Sequence, residues 1–465
     1  MSRLIIISNR VKRPGSGAEQ GGLAIALAAA LRESRGIWFG WSGETTEQFT
    51  GQIAFNEDDG VKTATIDLEA QDIDEYYNGY ANKTLWPLFH FRIDLAEYER
   101  DFEGGYNRVN ERFAETASPL IEPEDTLWVH DYHLIPLGQM LRARGHRNRM
   151  GFFLHIPWPP TRLLVSLPHH IELVESLFAY DVVGFHTEEW LESFRHYVEK
   201  EMGGTVQGDL VTLGDRTIQA VACPIGIDAK EFVAASTSPA ALEMQGRVDD
   251  SLQKRAMIVG VDRLDYSKGL EERFNGYARF LKDNPDMHRK VVLTQIAPPS
   301  RGEVESYQQI RATLDALAGR INGEYSDVDW TPIRYVNQGY PRDQLAGIYR
   351  AARIGLVTPL RDGMNLVAKE YVAAQDPQDP GVLILSRFAG AALQLKDALL
   401  VNPYSPEEMS DAIQRALAMP LDERKRRWRA MMDCVMQQDV VWWRTCFTGR
   451  LQPQQTEAAE PATAE

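Results

Sequence analysis

Residues 356–371 read LVTPLRDGMNLVAKEY. With Ile354 and Gly355 before it, the start is a short apolar run of strand character, and the chain turns helical at Leu366. Between the two lie Arg361, Asp362, Gly363 and Asn365, two opposite charges beside a glycine. A plain connecting loop needs polarity but not that pairing. At the carboxyl end of a parallel strand such a turn faces a ligand. The free N–H groups of the following helix favour an anion there. The stretch therefore predicts one strand–turn–helix unit of an α/β protein, with the carboxylates Asp362 and Glu370 beside its ligand.

The same alternation runs along the chain. The predicted strands are LIIIS, IWFGW, TLWVH, MGFFLH and DVVGFH in the first half. In the second they are AMIVGV, KVVLTQIA, IRYV, IGLVT, VLILS and LLV. Several lack polar alternation, which predicts burial on both faces of a parallel sheet. A chain of 465 residues is too long for one core. The turn-rich stretch 236–250, STSPAALEMQGRVDD, separates the two series, so the expected division is 1–240 and 241–437. Residues 438–450, with DVVWWRTCF, read as a final helix whose Trp442, Trp443 and Phe447 serve packing, and 451–465 read as a disordered tail.

Composition narrows the function classes. Hydrophobic residues at 44% and charged residues at 25% describe an ordinary globular protein. No apolar run approaches the roughly 18 residues of a membrane span. A net charge of −16 opposes broad nucleic-acid binding, which needs a basic face. Small anionic ligands remain open, because a few local cations hold them. Cys223, Cys434 and Cys446 form neither a metal-ligand spacing nor a disulfide framework and read as buried thiols of a cytoplasmic protein.

Candidate functional residues collect where strands end. Arg10 follows LIIIS, and Gly21 and Gly22 precede an Ala-rich helix. Asp131 and His133 follow TLWVH, and His155 closes MGFFLH. In VDRLDYSKGL, Arg263 offers a planar fork and Lys268 a point charge, together suited to a diphosphate. The plainer alternative pairs them with Asp262 and Asp265. Arg301 follows two prolines. Asp327 and Asp329 form an Asp-X-Asp, a pattern of metal-dependent transferases, but in SDVDWTP they read as a polar loop.

Seven segments carry a resemblance: SNRV, GGL, WVHDYHL, FFLHIPWPP, VDRLDYSKGL, IAPPSRGEVESY and LVTPLRDGMNLVAKEYVA, in this order from residue 8 to about 375. Together they resemble trehalose-6-phosphate synthases, retaining glucosyltransferases of the glycosyltransferase-B fold. The resemblance implies two Rossmann-like domains whose parallel sheets face a central cleft. It implies UDP-glucose as donor in the second domain and glucose 6-phosphate as acceptor in the first, with the final helix crossing back to the first. The donor would be held by Gly22, Leu23, His155, Arg263, Lys268, Tyr340, Asp362, Gly363, Met364, Asn365, Leu366, Val367 and Glu370. Arg10, Tyr77, Trp86, Asp131 and Arg301 would hold the acceptor.

Catalysis would rest on Asp131, His155, Arg263, Lys268 and Asp362. A glycosidase-like retaining route needs two carboxylates about 5–5.5 Å apart; the family is thought to use no such nucleophile. The acceptor hydroxyl attacks on the face that UDP leaves, and a UDP phosphate oxygen takes its proton. No cofactor, catalytic metal, nucleic acid or membrane is implied, and relatives form dimers and tetramers. A non-catalytic sugar-phosphate sensor and a pseudo-glycosyltransferase share the scaffold, and the donor base, uridine, guanosine or adenosine, stays open. The intact set of Arg10, Asp131, His155, Arg263, Lys268, Arg301 and Asp362 favours the active enzyme.

Overall fold

Leu4–Asn9, all buried, form the centre of a ten-stranded sheet in the computed structural model, which describes residues 3–11, 27, 31, 36–58, 60–302 and 304–452. Gly21, Gly22, Leu23 and the tail 453–465 lie outside the described residues. The strands of this sheet are β1 (Leu4–Arg10), β2 (Ile37–Thr46), β3 (Ala54–Asp58), β4 (Val61–Glu69), β5 (Thr126–His130), β6 (Met150–Phe153), β7 (Val182–Phe185), β8 (Thr205–Gln207), β9 (Leu210–Leu213) and β10 (Arg216–Ala222). They lie in the order β3-β4-β2-β1-β5-β6-β7-β10-β9-β8. From β4 to β10 neighbours run parallel, while β3 and the β9–β8 pair close the edges antiparallel.

The second sheet holds β11 (Ala256–Val261), β12 (Val291–Ile296), β13 (Ile333–Val336), β14 (Ile354–Val357), β15 (Val382–Ser386) and β16 (Leu399–Val401). Its order is β13-β12-β11-β14-β15-β16, parallel throughout. Both sheets thus start at the centre, grow outward on one side and restart on the other. That doubly wound order leaves a crevice at β1/β5 and another at β11/β14, outside the carboxyl ends of the strands. The apolar runs behave as expected, with β6, β7, β14 and β15 buried at every residue.

The strands β3 and β4 at one side of the first sheet and β10, β9 and β8 at the other were not among the expected ones. Every residue of β3 is exposed, so it carries no apolar signal. The stretch 236–250 is mostly helix, Pro239–Leu252, started by Ser238 accepting from the Ala241 N–H at 3.2 Å. A Cβ on Gly347 would lie 2.2 Å from the Ala241 carbonyl, so this helix sits hard against Arg342–Ala351. The chain passes between the sheets earlier, just after β10, and again before the final helix Val440–Leu451. The two passages touch: Val440 N–H donates to Ile227 O at 3.1 Å. Trp443 and Phe447 of the final helix are buried against Trp128 at 5.0 and 5.2 Å between rings. Leu451, expected in the tail, is the buried last residue of that helix. No helix among the described residues is long and apolar enough to cross a membrane.

Candidate active site

The loop after β11 is organised by its own carboxylate. Asp265 accepts from the Ser267 N–H at 2.9 Å and so starts the short turn Tyr266–Lys268. Gly269 then takes φ +64°, and a Cβ there would meet Thr358 O at 2.2 Å, so only glycine fits beside β14. Arg273, wholly buried on the following helix Leu270–Asp283, bonds Asp262 (2.6 Å), Gln295 (2.7 Å) and Thr358 (3.0 Å). One guanidinium thereby ties the loops after β11 and β14 to strand β12. The fixed loop delivers Lys268 Nζ to Asp362 Oδ2 at 2.5 Å.

The turn 361–365 is equally constrained. Asn365, at φ +79°, caps the helix Leu366–Ala374 by accepting from the Ala368 N–H at 3.2 Å, and its amide donates to Asp362 Oδ2 at 3.2 Å. Burial pushes the Asp362 carboxyl up, but Lys268, His90 and Asn365 outweigh it and hold the group below its ordinary value. Asp362 is therefore an anion placed at a helix start, with Leu366 and Val367 in the first turn and Glu370 one turn on. Lys369 turns inward, donating to Ile225 O at 2.6 Å and Gln394 Oε1 at 2.7 Å, and pins this helix to the chain passage. Arg361 lies between the Phe91 and Phe388 rings at 4.3 and 4.5 Å, a packing role rather than an anion clamp.

Across the crevice, Asp131 follows β5 at φ +74° and accepts from the His155 N–H at 3.2 Å. Burial pushes its carboxyl up to about 6, against the N–H groups of Tyr132 and His155 and the charges of Arg301 and Arg263. Burial also pushes His155 down to about 3, so the ring is neutral. Its Nε2 sits 3.0 Å from His130 Nδ1. The two sheets meet here through backbone: a Cβ on Gly363 would lie 2.2 Å from His155 O. Gly363→Ala is thus expected to force the 361–365 turn off the His155 segment, an overpacking cost of about 1–3 kcal/mol. A lowered Tm would check it; a wild-type Tm would refute the close approach.

Trp86 supplies the floor between the halves. Arg301 lies over its ring at 4.0 Å and Arg263 at 5.7 Å. Arg301 is nearly buried, donating to Tyr132 Oη at 3.0 Å and to the Tyr307 hydroxyl, with Asp265 at 3.5 Å. Burial alone would raise Asp265, yet Arg301, Arg263 and Lys268 hold it at about 2. Arg10 and Tyr77 share Trp41, at 5.4 and 5.6 Å, and Tyr77 stacks on His133 at 5.9 Å. Met364 is buried in the turn. Tyr340 stands apart: its hydroxyl accepts from Gln338 at 3.3 Å, and no other predicted site residue bonds it among the described residues.

His90, Asp265, Tyr132 and Tyr307 were not predicted as site residues. Burial pushes His90 down to about 4, with Asp265 opposing and Lys268 reinforcing that shift, which places His90 beside the clamp. His90 stands outside the seven resembling segments, whereas Tyr132, Tyr307 and Asp265 lie inside WVHDYHL, IAPPSRGEVESY and VDRLDYSKGL, beside the residues expected to carry the chemistry. Asp327 and Asp329 bind Arg289 at 3.1 and 2.8 Å, as befits a structural loop. Among the described residues no group of three His, Cys, Asp or Glu side chains is arranged to hold a metal.

The model of glycosyltransferase family 20 matches residues 9–453. A trehalose-6-phosphate synthase of Sinorhizobium fredii is 48% identical over 448 residues, covering 95% of this chain and 97% of the relative. A solved alpha,alpha-trehalose-phosphate synthase (UDP-forming) of Burkholderia xenovorans, in complex with glucose-6-phosphate, superposes with a TM-score of 0.94 at 47% identity, covering 97% of this chain and 100% of that one. An E. coli structure bound with UDP-2-fluoro glucose gives a TM-score of 0.93 at 44% identity, covering 97% and 99%. The two facing parallel sheets are those of the glycosyltransferase-B fold. With a family match over almost every residue and near-half identity along both full lengths, the chain belongs to glycosyltransferase family 20.

Proposed function

We propose that the chain transfers glucose from UDP-glucose to glucose 6-phosphate, giving trehalose 6-phosphate and UDP with retention at the anomeric carbon. The reading rests above all on Lys268 bonded to Asp362 at the head of the Leu366–Ala374 helix, set against His155 through Gly363. The diphosphate lies against Arg263, Lys268 and the Leu366 and Val367 N–H groups. Glu370 takes the ribose hydroxyls, and Asp362 with the Gly363–Asn365 backbone takes the glucose hydroxyls. His155, neutral and with Nε2 engaged by His130, has Nδ1 left to meet the donor sugar. Arg10, Tyr77, Trp86, Asp131 and Arg301 line the acceptor side.

This arrangement leaves little room for a protein nucleophile. Asp362 is occupied by Lys268 and Asn365, which suits a hydroxyl acceptor better than an attacking group. The acceptor hydroxyl therefore attacks from the face that UDP vacates, its proton passing to a phosphate oxygen, while Arg263 and Lys268 stabilise the charge on the leaving diphosphate. The first sheet's unit carries the acceptor and the second the donor, with the passages after β10 and before the final helix joining them.

Incubation of UDP-glucose with glucose 6-phosphate and no added metal is expected to yield trehalose 6-phosphate and UDP. Loss of all product in EDTA, restored by a divalent cation, would overturn the metal-free step; no product under any condition would overturn the assignment. Asp131 adds a pH signature. Its folded value, about 6, lies above the ordinary 3.8, so the folded protein holds the extra proton between these values. Stability from this group therefore falls as pH rises through that window. A sugar hydroxyl donates more strongly to the ionised carboxylate than to the neutral carboxyl, so affinity for glucose 6-phosphate should drop below pH 6. Comparing KM against pH in wild type and Asp131→Asn separates this limb from the phosphate's own titration. Identical profiles would rule the role out.

A further inference from the structure

His130 closes β5 with a wholly buried ring beside His155. The parallel pairing of β5 with β6 sets His130 opposite Phe153, two residues before His155. Two bonds fix the chain there: the Asp131 N–H donates to Phe153 O at 2.8 Å, and the His155 N–H donates to Asp131 Oδ1 at 3.2 Å. The imidazoles meet edge to edge. His130 Nδ1 lies 3.0 Å from His155 Nε2, with the ring planes 23° apart and the ring centres at 5.3 Å. That spacing is the bond plus one ring radius at each end, so the two nitrogens face each other along the line of centres. Burial keeps both rings neutral. A neutral imidazole carries one N–H. A single proton therefore makes this bond, and its owner decides which nitrogen of His155 is left protonated.

The surroundings of His130 decide the owner. Its Nε2 is buried with no hydrogen-bond partner among the described residues. The rings of Trp128 and Trp443 lie 4.5 and 6.3 Å away, and their indole N–H groups are likewise buried and unpartnered. A proton on His130 Nε2 would add a third orphaned N–H to this apolar place. Buried N–H groups are left unpaired more rarely than acceptors, so Nε2 carries the lone pair and Nδ1 the proton. We propose that His130 is a positioning residue: its Nδ1–H donates to His155 Nε2 and fixes the His155 proton on Nδ1, which then donates to the donor sugar, on the reading that His155 faces the glucose of UDP-glucose. Asp362, an anion, only accepts from sugar hydroxyls, so His155 supplies the complementary N–H from the facing wall. With the opposite tautomer His155 would offer those hydroxyls a second acceptor instead. His186, at 5.2 Å between ring centres, makes no hydrogen bond to His155 among the described residues; its Nδ1 takes the Ile225 N–H at 3.4 Å.

Long-range proton–nitrogen NMR spectra of the full chain, labelled at histidine, read the tautomer directly, with the His155 signals identified by their loss in His155→Gln. The His155 proton is expected on Nδ1. Turnover of UDP-glucose by the wild type tests the transfer reading separately: no turnover with the proton on Nδ1 would overturn the transfer and not the tautomer. His130→Leu fills the space without a donor and leaves His155 Nε2 unsatisfied. It should lower kcat/KM for UDP-glucose by about 10- to 100-fold, with the KM for glucose 6-phosphate nearly unchanged. His130→Asn is smaller but places an amide N–H where Nδ1–H stands, and it should recover most of the loss. A role in packing alone would give the reverse order, because leucine fills the site better than asparagine. A His155 proton on Nε2, wild-type donor kinetics in His130→Leu, or His130→Asn doing no better than His130→Leu would each overturn the proposal.

Discussion

Replacing Lys268 by methionine should lower kcat by about 10²- to 10³-fold, the loss typical when one preorganised donor to a developing charge is removed. In the proposed mechanism the Lys268 ammonium would meet the leaving diphosphate where its charge is greatest, so the transition state would lose more than the ground state does. The variant should also be less stable, because Asp362 is left buried without its cation. Breaking such a pair costs about 3–5 kcal/mol. The pH dependence gives the sign. In the wild type the Asp362 pKa is below 3.8, so its stabilisation is present above that value and is lost as pH falls through the folded pKa. Without Lys268, burial dominates and raises the group. The variant should then lose Tm most at neutral pH and recover part of the difference in mild acid. Lys268→Arg, which keeps the charge, should restore stability more fully than rate. A Lys268→Met enzyme with wild-type kcat would remove this residue from the mechanism.

Arg301→Ala should reduce kcat/KM for glucose 6-phosphate by roughly 10- to 100-fold, corresponding to one charge-assisted contact of about 1.5–3 kcal/mol. The KM for UDP-glucose should stay nearly unchanged. This guanidinium is held by Tyr132, Tyr307 and Asp265 over Trp86, so it needs little reordering to meet a phosphate. The same partners complicate the variant: Asp265, held at about 2 by three cations, loses the first of them. Thermal unfolding must therefore accompany the kinetics. Equal weakening of donor and acceptor, with Tm unchanged, would place Arg301 outside the acceptor side.

The parallel strands buried on both faces were legible because such a strand must be apolar throughout, as in LIIIS, IGLVT and VLILS; β4 and β10, parallel but partly exposed, were not. The loop residues at their carboxyl ends, Arg10, Asp131, Arg263 and Asp362, were legible for a related reason. A charge or a glycine directly after such a run has a position set by the strand, whatever the rest of the fold does. The Asn365 cap and the Pro239 helix start are equally local, since their partners lie three residues away.

Other features have no local cause and so left no mark in the chain. β3 is exposed at every residue and exists because β4 offers it an edge. His90, Tyr132 and Tyr307 sit in the site because helices and loops from both halves converge there. His90 by its own neighbours is an ordinary buried aromatic, and Tyr132 and Tyr307 are marked only by the segments WVHDYHL and IAPPSRGEVESY in which they lie. Arg361, as charged as Arg263, packs between two phenylalanines, and nothing in the stretch 356–371 distinguishes that fate from ligand binding. The seat of the final helix depends on Gly151 in β6 and Gly184 in β7, which let Phe447 approach. Spacing along the chain governs what neighbours can do to one another, whereas contacts between distant segments follow from which surfaces the whole fold presses together.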